Sequence, residues 1–253
     1  MTDVSGGSLM KAQGKERLDL LLVSRGLAES REKARALVLA GQVLVDGRKA
    51  AKPGHTAALD SRIELTGRLP YVSRAGKKLE AALDGFGIRV EGRVCVDVGA
   101  STGGFTDCLL QRGARKVYAV DVGAGQLDWR LRNDSRVVVL EGINARYLTA
   151  ADLGELADLA VCDVSFISAT LILPPLVSVL RPGGEMVILV KPQFEVGRGQ
   201  VGRGGIVRDL ALHASACEKV AAAAQALGYQ TRLMESPITG AEGNKEFLLY
   251  ARH

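Results

Sequence analysis

The sequence predicts a doubly wound α/β domain whose last strand runs antiparallel, preceded by a small α+β domain. Three observations predict it. From residue 71 onward, short runs dense in Val, Leu and Ile alternate with helix-length stretches, as in a parallel sheet covered on both faces. The first of these runs ends in a glycine-rich turn that opens a helix. Before residue 71 the elements are shorter and the charge balance is more basic.

The elements follow in order. Residues 1–15 are small and polar with no apolar period, and read as a flexible tail. Residues 17–24 (RLDLLLVS) form a short helix closed by Gly26. Ser30 caps a second helix that runs to about Ala40 and stops at Gly41. On it Ala34, Leu37 and Val38 share one face, and Arg31 and Arg35 stack one turn apart on another. Residues 42–45 alternate as a strand, Asp46-Gly47 signals a hairpin, and residues 62–65 form a last short strand. This gives a small domain over 16–66, a linker over 67–70 and a larger domain over 71–253.

In the larger domain the strands are expected at 94–98, 116–121, 136–141, 159–163, 186–191, 229–235 and 247–251. Helices are expected at 74–85, 105–112, 127–131, 169–180 and 210–227. The last two strands are joined by too few residues for a crossover helix, so they pair antiparallel. Seven strands with the last reversed differ from a nucleotide dehydrogenase sheet.

Composition narrows the function. The chain has 253 residues, 47% hydrophobic and 24% charged, enough to build a packed core. Its 30 glycines follow no period, which excludes collagen-like and low-complexity chains. The cysteines Cys95, Cys108, Cys162 and Cys217 form no C-x-x-C pair, and His55, His213 and His253 are scattered. A disulfide framework or metal site is not expected. There is no signal-peptide pattern, and the longest apolar stretches are too short to span a bilayer. A soluble, cytoplasmic protein is expected. Residues 1–70 carry 12 Lys/Arg against 8 Asp/Glu, most of the net charge of +5. A basic small domain beside a near-neutral larger one points to a polyanion-binding module.

Two constellations carry chemistry. The first is Asp97-Val-Gly-Ala-Ser-Thr-Gly-Gly-Phe105, straight after a strand. Glycines there let backbone approach a ligand, and ligands of such sheets bind beyond the carboxyl ends of the strands. The spacing is G-x-x-x-G-G, not the G-x-G-x-x-G of dinucleotide sites. Asp121 ends the next strand, where a carboxylate accepts hydrogen bonds from ribose hydroxyls. Together they favour a ribose-containing cofactor. The second constellation is Lys78 on the helix before the first strand, Asp163 and Lys191 closing the fourth and fifth strands toward the rim of the glycine turn, and Glu246 beginning the last strand. Lys191 follows the apolar run 186–190, and an amine partly buried beside another ammonium can accept a proton.

SRAGKKL (73–79), DVGASTGGF (97–105), AVDVGAGQL (119–127), NAR (144–146), CDVSFIS (162–168), LVKPQFE (189–195), GGIVRD (204–209) and GNKEFL (243–248) resemble the FtsJ-like ribosomal RNA 2′-O-methyltransferases, most closely the hemolysin A (TlyA) branch. The segment RLDxLL…SRExARxLxxxGxVxVDG resembles the S-four-like RNA-binding domain, named after a small-subunit ribosomal protein. The resemblance spans roughly 16–252. It implies a Rossmann-like methyltransferase sheet and a catalytic tetrad of Lys78, Asp163, Lys191 and Glu246. Lys77 leaves the first member open by one residue, and the family's paired glycines are Ala75-Gly76 here.

The resemblance further implies S-adenosylmethionine, held by Gly99, Ala100, Ser101, Thr102, Gly103, Gly104 and Phe105. Asp121 would lie near its ribose, Asn144 near its adenine and Asp163 near its amino group. No metal is implied. RNA phosphates would meet Arg17, Arg31, Lys33, Arg35, Arg48 and Lys49, with Arg198, Arg203 and Arg208 as further basic positions. The implied reaction is methylation of a cytidine 2′-hydroxyl in ribosomal RNA, on free RNA or a ribosomal subunit. The large subunit is favoured because the chain ends soon after its last strand. A non-catalytic RNA-binding protein and a membrane-active hemolysin-like protein are the alternatives.

Overall fold

The computed structural model describes residues 14–66, 70–240 and 243–253. The expected tail, up to residue 13, and residues 67–69 of the expected linker lie outside the described residues. The chain divides into two compact units, one up to residue 68 and one from residue 69 onward.

The first unit holds β1 (Lys15–Arg17), α1 (Leu18–Ser24), α2 (Arg31–Leu39), β2 (Val43–Val45), β3 (Arg48–Lys49), β4 (Thr56–Ala58) and β5 (Ile63–Leu65). β2 pairs antiparallel with both β3 and β5, and β1 pairs antiparallel with β4. The β2–β3 hairpin turns on Asp46 and Gly47 with φ of 50° and 76°. Both residues are left-handed, as a two-residue hairpin turn demands. Ser30 caps α2 by accepting the Lys33 N–H at 3.2 Å. Leu18, Leu22, Ala34, Val38 and Val43 form the buried core. The strands β1 and β4 were not expected. They are three residues long, too short for an alternation to show. Arg17 therefore ends a strand instead of opening the helix.

The second unit begins with α3 (Ala75–Phe86), β6 (Val94–Val98), α4 (Gly104–Gln111), β7 (Lys116–Asp121), α5 (Trp129–Arg132) and β8 (Val137–Glu141). It continues with α6 (Ala150–Leu153), β9 (Ala157–Cys162), α7 (Leu173–Val179), β10 (Leu180–Val190), α8 (Pro192–Glu195), α9 (Leu210–Ala226), β11 (Gln230–Glu235) and β12 (Phe247–Arg252). One seven-stranded sheet runs in the order β11-β12-β10-β9-β6-β7-β8. β6 to β10 are joined in parallel, and β12 is antiparallel to both of its neighbours.

Alternate residues of each strand feed two cores. Val96, Val98, Val120 and Ile188 pack with Leu173, Leu176 and Val220 on one face. Cys95, Val117, Val161 and Leu189 pack with Leu79, Leu83 and Leu109 on the other. All four cysteines are free and buried, and burial pushes their thiols up to about 12. They are unreactive core residues.

The expected helix at 169–180 is broken. A tight turn at Ala169–Leu171 precedes α7, because Pro174 and Pro175 fit only the first turn of a helix. Leu180 then already belongs to β10, whose register shifts between Leu180 and Glu185. The short helices α6 and α8 were not expected. Four residues carry no period, although Thr149 and Asp152 form a capping box on α6.

In the first unit Asp19 is fully buried and takes both Arg17 and Arg31, at 2.9 and 3.0 Å. The Arg17 guanidinium, then Arg31, holds its carboxyl well below the usual range. Asp19→Asn is expected to destabilise this unit by on the order of 1–2 kcal/mol at pH 7, the scale of charge-assisted bonds to half-exposed partners. The carboxyl is depressed on folding, so the wild-type contribution is present above about pH 4 and lost as pH falls further. Hydrogen exchange at Leu21 and Leu22 in the full chain should show that pH dependence in the wild type and not in the variant.

Candidate active site

The strand order reverses between β6 and β9, and their carboxyl ends form the crevice where such sheets bind ligands. Gly99 leaves β6 with φ of 84°, and a Cβ there would lie 2.5 Å from the Asp163 carbonyl oxygen. Only glycine permits that approach. The Asp163 N–H donates to the Val98 carbonyl at 2.9 Å, and the Gly99 N–H to the Val120 carbonyl at 2.9 Å. Three strand ends are thus tied together by backbone.

Asp121 extends the tie. Its carboxylate accepts the Ser101 N–H at 2.7 Å and the Gly123 N–H at 2.8 Å. Gly99, Ser101, Asp121, Asn144 and Asp163 line a cavity of about 440 Å³ with apolar walls from Val120, Ile143 and Ile172. The Asn144 side-chain oxygen Oδ1 accepts the Arg146 N–H at 3.1 Å. A smaller cavity of about 180 Å³ is lined by Ala100, Ser101, Thr102, Gly104 and Phe105 together with Asp163 and Lys191. Gly103 differs from the other expected loop residues. It lines neither cavity, and a Cβ on it would strike Leu127 and Leu131, so it serves the turn into α4.

The tetrad resolves into two ion pairs. Lys78 meets Glu246 at 2.5 Å, both buried, and Lys191 meets Asp163 at 2.6 Å. Lys78, not the exposed Lys77, is the residue that faces inward. One member of each pair, Lys191 and Glu246, lines a third cavity of about 320 Å³. Lys191 also donates to the Ser165 hydroxyl at 2.8 Å. A lysine held by one carboxylate and one hydroxyl can steady or exchange a proton at a substrate oxygen.

Several site residues escaped sequence reasoning. Ser165 borders all three cavities. Phe166 is 91% exposed with φ of 65°, and its ring lies 5.2 Å from that of Phe194. An exposed aromatic in a left-handed conformation has no periodic signature, and its neighbours in CDVSFIS were the only signal. Asn244, beside Glu246, is buried. Its oxygen accepts the Val207 N–H at 3.0 Å and its nitrogen donates to the Gly205 carbonyl at 2.9 Å, which pins the 205–207 loop at the third cavity.

In the first unit, the six basic candidates separate. Arg17 and Arg31 are committed to Asp19, and Lys33 pairs with Glu29. Arg35, Arg48 and Lys49 are exposed on α2 and β3. No group of three or more His, Cys, Asp or Glu among the described residues could hold a metal ion.

A sheet of this order, with a glycine turn and carboxylates at its reversal point, is that of a methyltransferase. The FtsJ-like methyltransferase family model matches residues 71–253, and the S4 domain model matches 16–63. The chain belongs to the FtsJ-like methyltransferase family, with an S4 domain ahead of the catalytic fold. It is 50% identical over 240 residues to the 16S/23S rRNA (cytidine-2′-O)-methyltransferase TlyA of Mycobacterium tuberculosis, covering 93% of this chain and 89% of that one. It is 46% identical over 236 residues to Hemolysin A of Brachyspira hyodysenteriae, covering 92% and 98%. A solved Streptococcus thermophilus structure designated a hemolysin superposes with a TM-score of 0.72 at 48% identity, covering 95% and 89%.

Asp97, on β6, is fully buried, and its carboxyl is pushed up to about 7 by burial, against a bond from the Thr106 hydroxyl. The charges of Asp163 and Asp121 add to the rise. With the folded value raised, its contribution to stability is present below about pH 4 and lost as pH rises through about 7. Asp97→Asn, which carries no such titration, should gain on the wild type by on the order of 3 kcal/mol between pH 4 and pH 8. Urea unfolding of both proteins at the two pH values measures the difference.

Proposed function

We propose that this chain transfers a methyl group from S-adenosylmethionine to a cytidine ribose 2′-hydroxyl in ribosomal RNA. The observation that carries the reading is that Lys191 and Glu246, each ion-paired, line a cavity that shares Ser165 and Phe166 with the cavity holding Gly99, Asp121 and Asp163. The name of the M. tuberculosis relative states the same reaction.

The residues of the larger cavity fit the cofactor. Gly99 brings backbone to the cavity wall, and Asp121 and Asp163 on that wall make it attractive to a cation. Gly99, Ala100, Ser101, Thr102, Gly104 and Phe105 would hold the cofactor, with Asp121 at its ribose, Asn144 at its adenine and Asp163 at its amino group. When bound, the cofactor supplies a methyl group already activated on a sulfonium.

The chain's own task is to place the hydroxyl and manage one proton. Lys191 serves the 2′-oxygen, as proton acceptor or as the cation that steadies its developing charge. Asp163 and Ser165 fix the direction of its amine. Glu246, on the wall of the third cavity, pairs with the buried Lys78. Phe166 and Phe194 offer a flipped base a stacking surface. A 2′-hydroxyl exists only in RNA, so the chemistry selects RNA over DNA.

The S4 domain supplies affinity for the phosphate backbone through Arg35, Arg48 and Lys49, with Arg17, Arg31 and Lys33 contributing from their ion pairs. Large-subunit RNA is the favoured target, and the small subunit is the second arm of the test. No helix among the described residues is long and apolar enough to cross a membrane.

Purified ribosomal subunits, presented separately with labelled cofactor, should be methylated by the wild type on one or both subunits. Lys191→Ala should lose at least 100-fold in turnover with cofactor affinity largely kept; near-normal turnover would remove Lys191 from the mechanism. Phe166→Ala should raise KM for RNA about 5- to 100-fold, the scale of one base–aromatic stack. In the full chain, replacing Arg35, Arg48 and Lys49 together by Ala should lower the slope of log affinity against log salt by about 2–3. An unchanged slope would place RNA binding elsewhere.

A further inference from the structure

Glu195 ends α8, four residues beyond Lys191 and next to Phe194. Its side chain is only 2% exposed. A buried carboxylate is costly unless each oxygen is satisfied, so its partners show what it is for. One oxygen accepts the Ala169 N–H at 2.6 Å, and the other accepts the Ser168 hydroxyl at 2.5 Å. Lys219 on α9 stands 3.2 Å from the second oxygen and also donates to the Glu195 carbonyl at 2.8 Å.

Two of these contacts reach the loop that leaves β9. That loop carries Asp163, Ser165 and Phe166. Glu195 itself belongs to the turn that leaves β10, which carries Lys191 and Phe194. The two segments are therefore joined twice. The inner tie is Lys191 to Asp163 and Ser165, and the outer tie is Glu195 to Ser168 and Ala169. Between the ties sits Phe166, in a left-handed conformation that a residue other than glycine keeps only where its surroundings enforce it.

We propose that Glu195 is a positioning residue. It holds the Phe166 loop against the Lys191–Phe194 turn and so sets where the target nucleotide stands relative to Lys191. This rests on the methyl-transfer reading above. An apolar residue could fill the same space, but it could not hold both Ser168 and Ala169 at hydrogen-bond distance.

The test uses the full chain and two readouts. Methyl transfer to the subunit that the wild type labels gives kcat and KM for Glu195→Ala, Glu195→Gln and Lys219→Met. A 4-fluorophenylalanine at position 166 reports the loop by fluorine NMR without reference to activity. Glu195→Ala should stay folded at the assay temperature, lose 10-fold or more in kcat, raise KM for RNA, and shift or split the fluorine signal. Glu195→Gln should recover to within about threefold, because an amide oxygen still accepts the Ala169 N–H and the Ser168 hydroxyl can turn to accept from the amide. Lys219→Met should stay within threefold of wild type, because both loop contacts remain.

An unchanged fluorine signal in Glu195→Ala overturns the proposal, as do kcat and KM within twofold of an active wild type. A loss in Lys219→Met equal to that in Glu195→Ala also overturns it, by assigning the effect to the ion pair. Should Glu195→Ala unfold, Ser168→Ala replaces it: a three- to tenfold loss of kcat with a shifted signal supports the tie, and neither effect overturns it. A wild type that transfers no methyl group refutes the functional reading instead, and the fluorine signal alone then decides the positioning role.

Discussion

The approach of Gly99 to the Asp163 carbonyl is the constraint on which the larger unit depends. It brings the ends of β6 and β9 to backbone contact where the sheet reverses its strand order. A side chain at that position would force the two strand ends apart. Everything on the rim inherits its place from that contact. Asp121 is aligned through Ser101, Lys191 through Asp163, and the three cavities share walls because the loops that bound them leave adjacent strands.

The two ion pairs act on this frame differently. Lys78 and Glu246 are both buried, and each is the other's ion-pair partner. Their pairing joins α3 to the residue just before β12, across the face of the sheet. Lys191 and Asp163 are less deeply set and face the cavities. One pair is suited to holding geometry, and the other to meeting a substrate. The same division appears in the first unit, where Asp19 takes two arginines into the fold and leaves Arg35, Arg48 and Lys49 on the surface.

The doubly wound fold was legible because its strands are apolar on both faces, a pattern few other elements produce. The reversed last strand was legible from one short connection. What the sequence did not disclose is that β12 inserts between β10 and β11, since strand order across a sheet leaves no local mark. The tetrad and the glycine turn stood out because charged or flexible residues sit against apolar runs. Ser165, Phe166, Glu195 and Asn244 did not, because their roles come from tertiary contacts between loops. Gly103 shares a motif with the cavity-lining residues Gly99 and Ser101, but its own surroundings are Leu127 and Leu131. The break at Pro174-Pro175 was written in the chain and outweighed by the apolar run around it.

The position of β12 bears on how the molecule is made. It comes after β11 in the sequence, yet it is the strand that joins β11 to the rest of the sheet. During synthesis, β11 has no partner in the sheet until β12 emerges, and Lys78 waits 168 residues for Glu246. The half of the sheet from β6 to β10 can pair in the order in which it is translated, because each strand finds a neighbour already present. The chemical centre cannot. An unfinished chain holds the glycine turn and Lys191 but lacks Glu246, so Lys78 stands in it without the carboxylate that pairs with it in the finished fold.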